Sequence, residues 1–487
     1  MNKTDVVILG AGPSGLAASF ELHKVNRSFV IIEKNDRVGG LARTLQYGEF
    51  ITDIGPHRFF SQNKYLYDFI EDLLGNNWIK VNRLTRFYIN DKFFLYPVEL
   101  KNAIINVGPY IASRIILDFL YERIKDIFVN KAPANFEEQI VSDYGRSLAE
   151  LNMLNYTEKI WGLPCSEISP DWAKQRIKDL SIMEVIKKAI IKSNNGPKTL
   201  VDQFFYPETG TGLIYSKIVE RILNGNGNEF LKNGNGNEFL KLNSRPTGIY
   251  HKDNRIVKII AKNGNNEYTY YPENIISTIP ITEFINLLKP RVPDRVLYAA
   301  KNLKFRSHIS VFITLNKSSV FRDQWLYFPD KKIPFGRIME PKNFSKRLSP
   351  PDKTSLLVEY FCWENDNIWK LNIEKLFELT IEWLEKLNFI KRGEVISHFI
   401  HREKYAYPVY GLNYKDYLQD IREYLNRFDN LQLVGRAGSF RYNNQDHALE
   451  MGILASRNII EGKRKYNIDD IGSEQEYFER GYVINDK

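Results

Sequence analysis

Cysteine is nearly absent: Cys165 and Cys362 are the two in 487 residues. That excludes a disulfide framework, neither residue stands in a metal-spaced cluster, and the usage fits a reducing, cytoplasmic compartment. A secretory leader is not expected either, because the first apolar run is short, lacks a basic n-region and small-residue cleavage site, and reads as a strand. Nor is there a long uncharged apolar run. Ala103 to Ile124 is rich in Ile and Leu but carries Arg114, Asp118, Glu122 and Arg123, which predicts an amphipathic or buried helix rather than a membrane span. A dominant charge is missing as well. The net +9 comes from 68 basic and 59 acidic residues scattered along the chain, so nucleic-acid binding is not indicated, while attraction to a polyanionic small molecule or an anionic membrane surface stays open. What is abundant is core material, 43% hydrophobic and 13% aromatic residues, enough for two or three domains.

The most informative segment is Val6-Val7-Ile8-Leu9-Gly10-Ala11-Gly12-Pro13-Ser14-Gly15, followed by a second apolar run, Ser28 to Ile32, that ends at Glu33. A buried strand must turn sharply into a helix here, and only residues without Cβ let the backbone approach a pyrophosphate. The free N–H groups and dipole of the helix start then hold the negative charge. Glu33 stands where a carboxylate accepts hydrogen bonds from ribose hydroxyls, which disfavours a 2′-phosphate. The pattern predicts an ADP-containing dinucleotide held by Gly10, Gly12, Pro13, Ser14, Gly15 and Glu33.

A second glycine pair follows in Lys34-Asn35-Asp36-Arg37-Val38-Gly39-Gly40-Leu41-Ala42-Arg43, too soon for an ordinary second βαβ crossover. One reading is a second loop on the same pyrophosphate, drawn from Lys34, Gly39, Gly40, Leu41, Ala42 and Arg43. That suits FAD, buried along its length, better than NAD. The alternative is a plain Gly-Gly surface turn.

Further along, Asn90-Asp91 between aromatic runs predicts a hairpin turn. Leu100 to Val129, Phe136 to Leu154 and Pro170 to Lys192 have helical spacing and predict a helical insertion. Residues 224–232 and 233–241 repeat NGNGNEFLK in tandem; two short copies bury nothing, so a surface loop away from the site is expected. Strand-like runs cover Arg255–Ala261, Glu267–Tyr271, Asn274–Pro280, His308–Leu315 and Ser355–Tyr360. Leu371 to Leu387 predicts a helix. Leu431 to Val434 runs into Gly435-Arg436-Ala437-Gly438, with a helix over Ala448–Ile460, as a strand-turn-helix returning to the nucleotide domain would. The expected fold is α/β: a discontinuous Rossmann-like FAD-binding domain (1–97, 200–285 and 430–465), a helical insertion (98–199), an antiparallel or mixed β-sheet substrate domain (286–429) and a loose polar tail (466–487).

In this order the parts resemble the FAD-dependent amine-oxidase-like superfamily that includes protoporphyrinogen oxidase and UDP-galactopyranose mutase, and the mutase branch most. The resemblance runs from residue 4 to about 461. Asp53 to Ser61 (DIGPHRFFS) looks like the flavin-adjacent loop of that family, which places Gly55, Pro56 and His57 at the flavin. Tyr96-Pro97 resembles the Tyr-Pro whose aromatic stacks on uracil. Tyr156 to Pro164 (YTEKIWGLP), then Trp172 and Arg176, has the spacing of a tryptophan (Trp161) and a diphosphate-binding arginine (Arg176). Trp325 to Pro329 with Pro334 to Arg337 matches the segment that holds a second tyrosine (Tyr327) and a second such arginine (Arg337). Tyr407, Tyr442, Asn444 and Gln445 complete the set, with His447 ordering the last turn. Thr157 stands where eukaryotic-type mutases carry asparagine, which shortens the reach toward substrate. The turn between Tyr442 and Asn444-Gln445 is also shorter than in those enzymes.

The resemblance implies a redox-neutral mutase, with FAD reduced in the active form, that interconverts pyranose and furanose forms of a nucleoside-diphosphate sugar through a flavin N5–sugar adduct. An external reductant such as NAD(P)H is compatible with it, and a homo-oligomer stays open. Two other readings remain: a FAD-dependent oxidoreductase resembling protoporphyrinogen oxidase, amine oxidase or desaturase, and a flavin binder without catalysis.

Overall fold

The computed structural model describes residues 2–61, 63–96, 106–128, 132–176, 203–224 and 239–471. Among them, one eight-stranded mixed sheet is built around the strand Asn2–Leu9, which pairs in parallel with Phe29–Ile32 on one side and Asn266–Ser277 on the other. Val7 and Leu9 pack into one core and Val6 and Ile8 into another. Side chains alternate across a strand, so a parallel strand covered on both faces needs the continuous apolar run seen in the sequence. The turn at Gly10 leads into the helix Pro13–Lys24, against which the helix Gln445–Ile460 crosses. Gly452 permits that crossing, since a Cβ there would lie 2.0 Å from the Ser14 carbonyl oxygen.

Two sequence expectations merge. Glu267–Tyr271 and Asn274–Pro280 form one strand, Asn266–Ser277, which changes partners along its length. Its first half pairs antiparallel with Arg255–Asn263, and its last three residues pair in parallel with Leu431–Leu433. The tandem repeat also departs from a plain surface loop. Most of it lies outside the described residues, but the end of its second copy forms the edge strand Leu240–Lys241 beside Phe29–Ile32, and Phe239 is buried. The apolar Phe-Leu pair finds a hydrophobic sheet edge that the Asn/Gly part of the repeat could not use.

The second large sheet has seven strands in the order Val395–Pro408, Phe305–Leu315, Thr354–Cys362, Arg337–Met339, Trp325–Tyr327, Thr85–Ile89 and Lys92–Leu95. The last two form the hairpin expected at Asn90-Asp91, whose residues both take positive φ (49° and 60°), as a two-residue primed turn requires. The hairpin pairs with Trp325–Tyr327. Residues 85–95, grouped by sequence with the nucleotide segment, therefore belong to the second sheet, because their partners arrive from far along the chain.

The insertion contains the helix Pro109–Phe128, and the expected Phe136–Leu154 helix breaks after Tyr144 at Gly145 (φ 77°) and resumes as far as Trp161. A Cβ on Gly145 would meet Phe119 N at 2.7 Å, so close helix packing fixes the break. The helix Asp171–Arg176 is described, while 177–199 lie outside the described residues. The start of the expected tail is docked: Ile468 is buried, and Arg441 donates to the Asp469 and Ile471 carbonyl oxygens. Residues 472–487 lie outside the described residues.

Candidate functional site

A cavity of about 560 Å³ opens where the first sheet meets the second. Its floor is the turn after the first strand. Gly10 has φ +99°, and a Cβ there would stand 2.2 Å from Thr278 Oγ1. The two glycine loops touch through their backbones: Gly39 N–H donates to the Ala11 carbonyl at 2.8 Å, and a Cβ on Gly40 would lie 3.0 Å from Gly12 Cα. Gly12 caps the helix and Pro13 opens it, so its unpaired amides and positive dipole end face the cavity. The Ser14 hydroxyl is buried beside them without a partner among the described residues. Glu33 is buried with one oxygen accepting from Ala11 N–H (2.8 Å) and the other from Asn35 N–H (2.9 Å).

Fifteen of the expected cofactor residues line this one cavity: Gly10, Gly12, Pro13, Ser14, Glu33, Lys34, Gly40, Leu41, Ala42, Arg43, His57, Gly435, Arg436, Asn444 and Gln445. Gly15, Gly39, Gly55 and Pro56 stand behind it. A Cβ on Gly15 would strike the Gly10 carbonyl oxygen at 2.0 Å, so that glycine serves strand–helix packing. Gln445 accepts from Thr211 and Tyr215 and donates to the Arg58 carbonyl at 3.0 Å, holding the 55–58 loop. Asn444 N–H donates to His447 Nδ1 at 3.3 Å, which fixes the last turn. Arg43 reaches across to Glu403 of the second sheet at 2.5 Å. Burial pushes the Glu403 carboxyl up, but His401, Arg43 and Lys34 outweigh it and hold it at about 2.

The expected substrate residues stand beyond the cavity lining as an aromatic wall. Tyr327 stacks on Phe87 (5.0 Å) and meets Tyr96 edge-on (5.9 Å). Tyr407 stacks parallel to Tyr442 at 6.0 Å and lies 6.1 Å from Trp161, which packs on Trp172 at 4.6 Å. Thr157 is buried on the same helix as Trp161. Arg436 joins the wall to the cavity. It sits over the rings of Tyr407 (5.3 Å) and Tyr442 (4.9 Å) and donates to the carbonyls of Asn443 and Ala406. No carboxylate pairs with it among the described residues. Arg176 ends its helix, and its side chain lies outside the described residues.

Three groups at the centre, Glu359, His308 and Tyr156, lie outside the expected site residues, although Tyr156 opens the YTEKIWGLP segment. Glu359, fully buried, takes both Arg337 Nε and Nη2, the latter at 2.8 Å, and pairs with His308 Nε2 at 2.8 Å. Burial raises its pKa, yet the Arg337 charge and hydrogen bonds win and bring it to about 2. The Tyr156 hydroxyl is buried without a partner among the described residues. Its pKa is raised by burial, despite the Arg337 charge. Glu359 interrupts the otherwise apolar, buried stretch 356–362 of its strand, and that interruption is a signal in the sequence, whereas His308 stands among Arg306, Ser307 and Ser310 and gives none. His57 stands beside this cluster with Nδ1 unpartnered, and burial, then the Arg436 and Arg337 charges, press its pKa down to about 3. A neutral imidazole at this pKa is a hydrogen-bonding group rather than a proton acceptor at neutral pH.

The strand-turn-helix cradle, the acid after the second strand and the cavity at their junction define a Rossmann-like fold in this part of the chain. A model of the NAD(P)-binding Rossmann-like domain matches residues 8–73. More particularly, the chain is similar to UDP-galactopyranose mutases. It is 27% identical over 175 residues to a probable UDP-galactopyranose mutase of Klebsiella pneumoniae, covering 34% of this chain and 44% of that protein. The UDP-galactopyranose mutase of Mycoplasma pneumoniae is 24% identical over 198 residues, 35% of this chain and 43% of the relative. The chain thus spans less than half the length of these relatives in the matched segments. Its fold is shared throughout with a reduced UDP-galactopyranose mutase of known structure, at TM-score 0.80 and 23% identity over 97% of this chain and 98% of the other. The flavin-containing amine oxidase B of Homo sapiens is 37% identical over 98 residues, 20% of this chain and 18% of that protein.

Proposed function

We propose that the protein is a flavoenzyme, a FAD-dependent and redox-neutral mutase that interconverts pyranose and furanose forms of a nucleoside-diphosphate sugar. The observation that carries this reading is Arg436, a cation without a carboxylate partner among the described residues, set between the dinucleotide cradle and the Tyr407–Tyr442 pair. A diphosphate needs fixed cationic forks and hydroxyl donors, and this junction offers both. The similarity to UDP-galactopyranose mutases supports the substrate class.

The cradle fits FAD by its own geometry. Gly10, Gly12, Gly39 and Gly40 let the two loops close on one another without side chains between them, Ser14 Oγ has no partner among the described residues, and Glu33 is fixed for ribose hydroxyls. His57, Gly435 and Arg436 line the end of the cavity nearest the aromatic wall. Bound and reduced, FAD supplies a nucleophile for the anomeric carbon of the sugar. The remaining work falls to the chain. Arg436 and Arg337, with Arg176, hold the diphosphate while it is detached and until it rejoins. Arg337 keeps Nη1 available, because its Nε and Nη2 are taken by Glu359. Tyr156, Tyr327, Tyr407 and Tyr442 donate to the same oxygens, and the wall of rings excludes water from the reacting carbon.

The test is anaerobic. Protein reduced with dithionite is incubated with UDP-galactopyranose and other nucleotide-sugars, and pyranose is resolved from furanose by chromatography beside an unreduced control. A new isomer formed with turnover only by the reduced protein supports the mutase. No isomer from any sugar, with flavin reoxidation that requires oxygen or another acceptor, overturns it in favour of the oxidoreductase reading, which the similarity to amine oxidase B keeps in view.

A further inference from the structure

The helix Pro109–Phe128 is turned inside out relative to an ordinary surface helix. Phe119 and Glu122 are its buried side chains, while Leu117, Ile124 and Ile127 are 66%, 57% and 78% exposed. With Tyr110, Leu120 and Tyr121, also exposed, these fall on one stripe at the helical angle of 100° per residue, a stripe about 27 Å long at 1.5 Å per residue. A single exposed leucine needs no explanation, but a continuous stripe of this length does.

The charges of this helix are sorted. Its acids lie away from the stripe: Asp118 accepts from Ser147 N–H (3.0 Å) and from the Ser147 hydroxyl, and Asp126, itself 38% exposed, accepts from the Ser142 hydroxyl at 2.8 Å. Its bases flank the stripe. Arg114 stands on one edge with Lys125, and Arg123 on the other. Lys125 and Arg123 lie within 2.9 Å and 4.0 Å of Glu122 and Asp126, yet each is about half exposed (48% and 49%), and such pairs hold a cation only weakly. Two copies joined along this stripe would bring like-charged edges together, whereas an anionic surface complements both edges. Among the described residues no helix is long and apolar enough to cross a membrane, and the opposite face of this one is committed to the Phe136–Tyr144 and Arg146–Leu148 segments.

We infer that the Pro109–Phe128 helix docks in the plane of an anionic lipid bilayer, with its apolar stripe in the headgroup–acyl boundary and Arg114, Arg123 and Lys125 against lipid phosphates. The inference does not depend on the reaction proposed above. It is tested by flotation of the full chain with vesicles of phosphatidylcholine alone or mixed with phosphatidylglycerol. The expected result is binding to the mixed vesicles at least about tenfold stronger than to phosphatidylcholine, and weakened by salt. A Leu117→Glu/Ile124→Glu variant should lose on the order of tenfold or more of that binding, with an unchanged circular dichroism spectrum and thermal midpoint, because both side chains already face solvent. Absence of binding to the mixed vesicles, or equal binding by the variant, overturns the inference. So does a dimer in light scattering that the same variant converts to monomer, since a second copy would then own the stripe.

Discussion

Arg337 and Glu359 are register partners across the antiparallel ladder between Arg337–Met339 and Thr354–Cys362, and their side chains join through both carboxylate oxygens. Backbone pairing thus delivers an ion pair to the centre of the molecule. A Cβ on Gly55 would stand 3.1 Å from Glu359 Oε1, so glycine there lets the 55–58 loop lie close against this pair.

Glu359→Ala should therefore destabilise the protein by about 3–5 kcal/mol, because it strands a buried guanidinium. The doubly apolar Arg337→Met/Glu359→Leu variant should recover part of the loss. Urea unfolding of the single and double variants measures both, and a single-variant loss below about 1 kcal/mol would mean that the pair contributes no more than an exposed one.

Gly10→Ala places a methyl group on the Thr278 hydroxyl at a backbone φ of +99°. Strain and overlap should together cost about 2–4 kcal/mol. The purified variant should carry markedly less flavin per chain, read from the ratio of visible to ultraviolet absorbance. Full flavin content with an unshifted thermal midpoint would contradict the cradle.

Arg436→Gln removes the cation over Tyr407 and Tyr442 while keeping a hydrogen-bond donor. If it holds the diphosphate, kcat/KM on the nucleotide-sugar should drop by about 2–4 kcal/mol in transition-state terms. The pKa of His57, lowered mainly by burial and next by the Arg436 charge, should rise, as histidine-selective NMR would show. An unmoved His57 resonance titration together with unchanged kinetics would remove Arg436 from the site.

Stability should respond to pH in two opposite senses. Asp446 is buried, and burial raises its pKa to about 8 against the pull of the His447 and Asp446 backbone amides and the Ser61 hydroxyl. Asp53, buried among Thr44, Tyr206 and Thr211, is raised by burial to about 7. Each folded pKa lies above its unfolded value, so the folded state binds the extra proton and stability falls as pH rises from about 4 through 7 and 8, with a slope of up to about 1.4 kcal/mol per pH unit per group. Glu359 and Glu403, depressed to about 2, contribute stability that is present above their unfolded values near 4.5 and is lost as pH falls toward 2. Asp446→Asn should flatten the upper slope and leave the acid limb intact. Unfolding free energies measured across that range decide it, and an unaltered upper slope would sink the assignment.

The sequence by itself determined the dinucleotide cradle, because its parts are local: a strand, a turn that needs glycine, a helix start and an acid one strand later all lie within Val6 to Glu33. It also carried the second glycine loop, the Asn90-Asp91 hairpin and about half of the strands among the described residues, since alternation and turn chemistry act over a few residues, but it carried neither Arg245–Lys252 nor the long strand Val395–Pro408. Tertiary structure alone decided which sheet that hairpin joined, since its partner Trp325–Tyr327 lies more than two hundred residues away. It alone set Glu359 against Arg337 and His308, because only strand register says which buried charges meet. It merged two strand segments into one that changes partners, and it turned the apolar face of Pro109–Phe128 outward. A helical period reports that a helix has an apolar face, and only the packing around it says what that face meets.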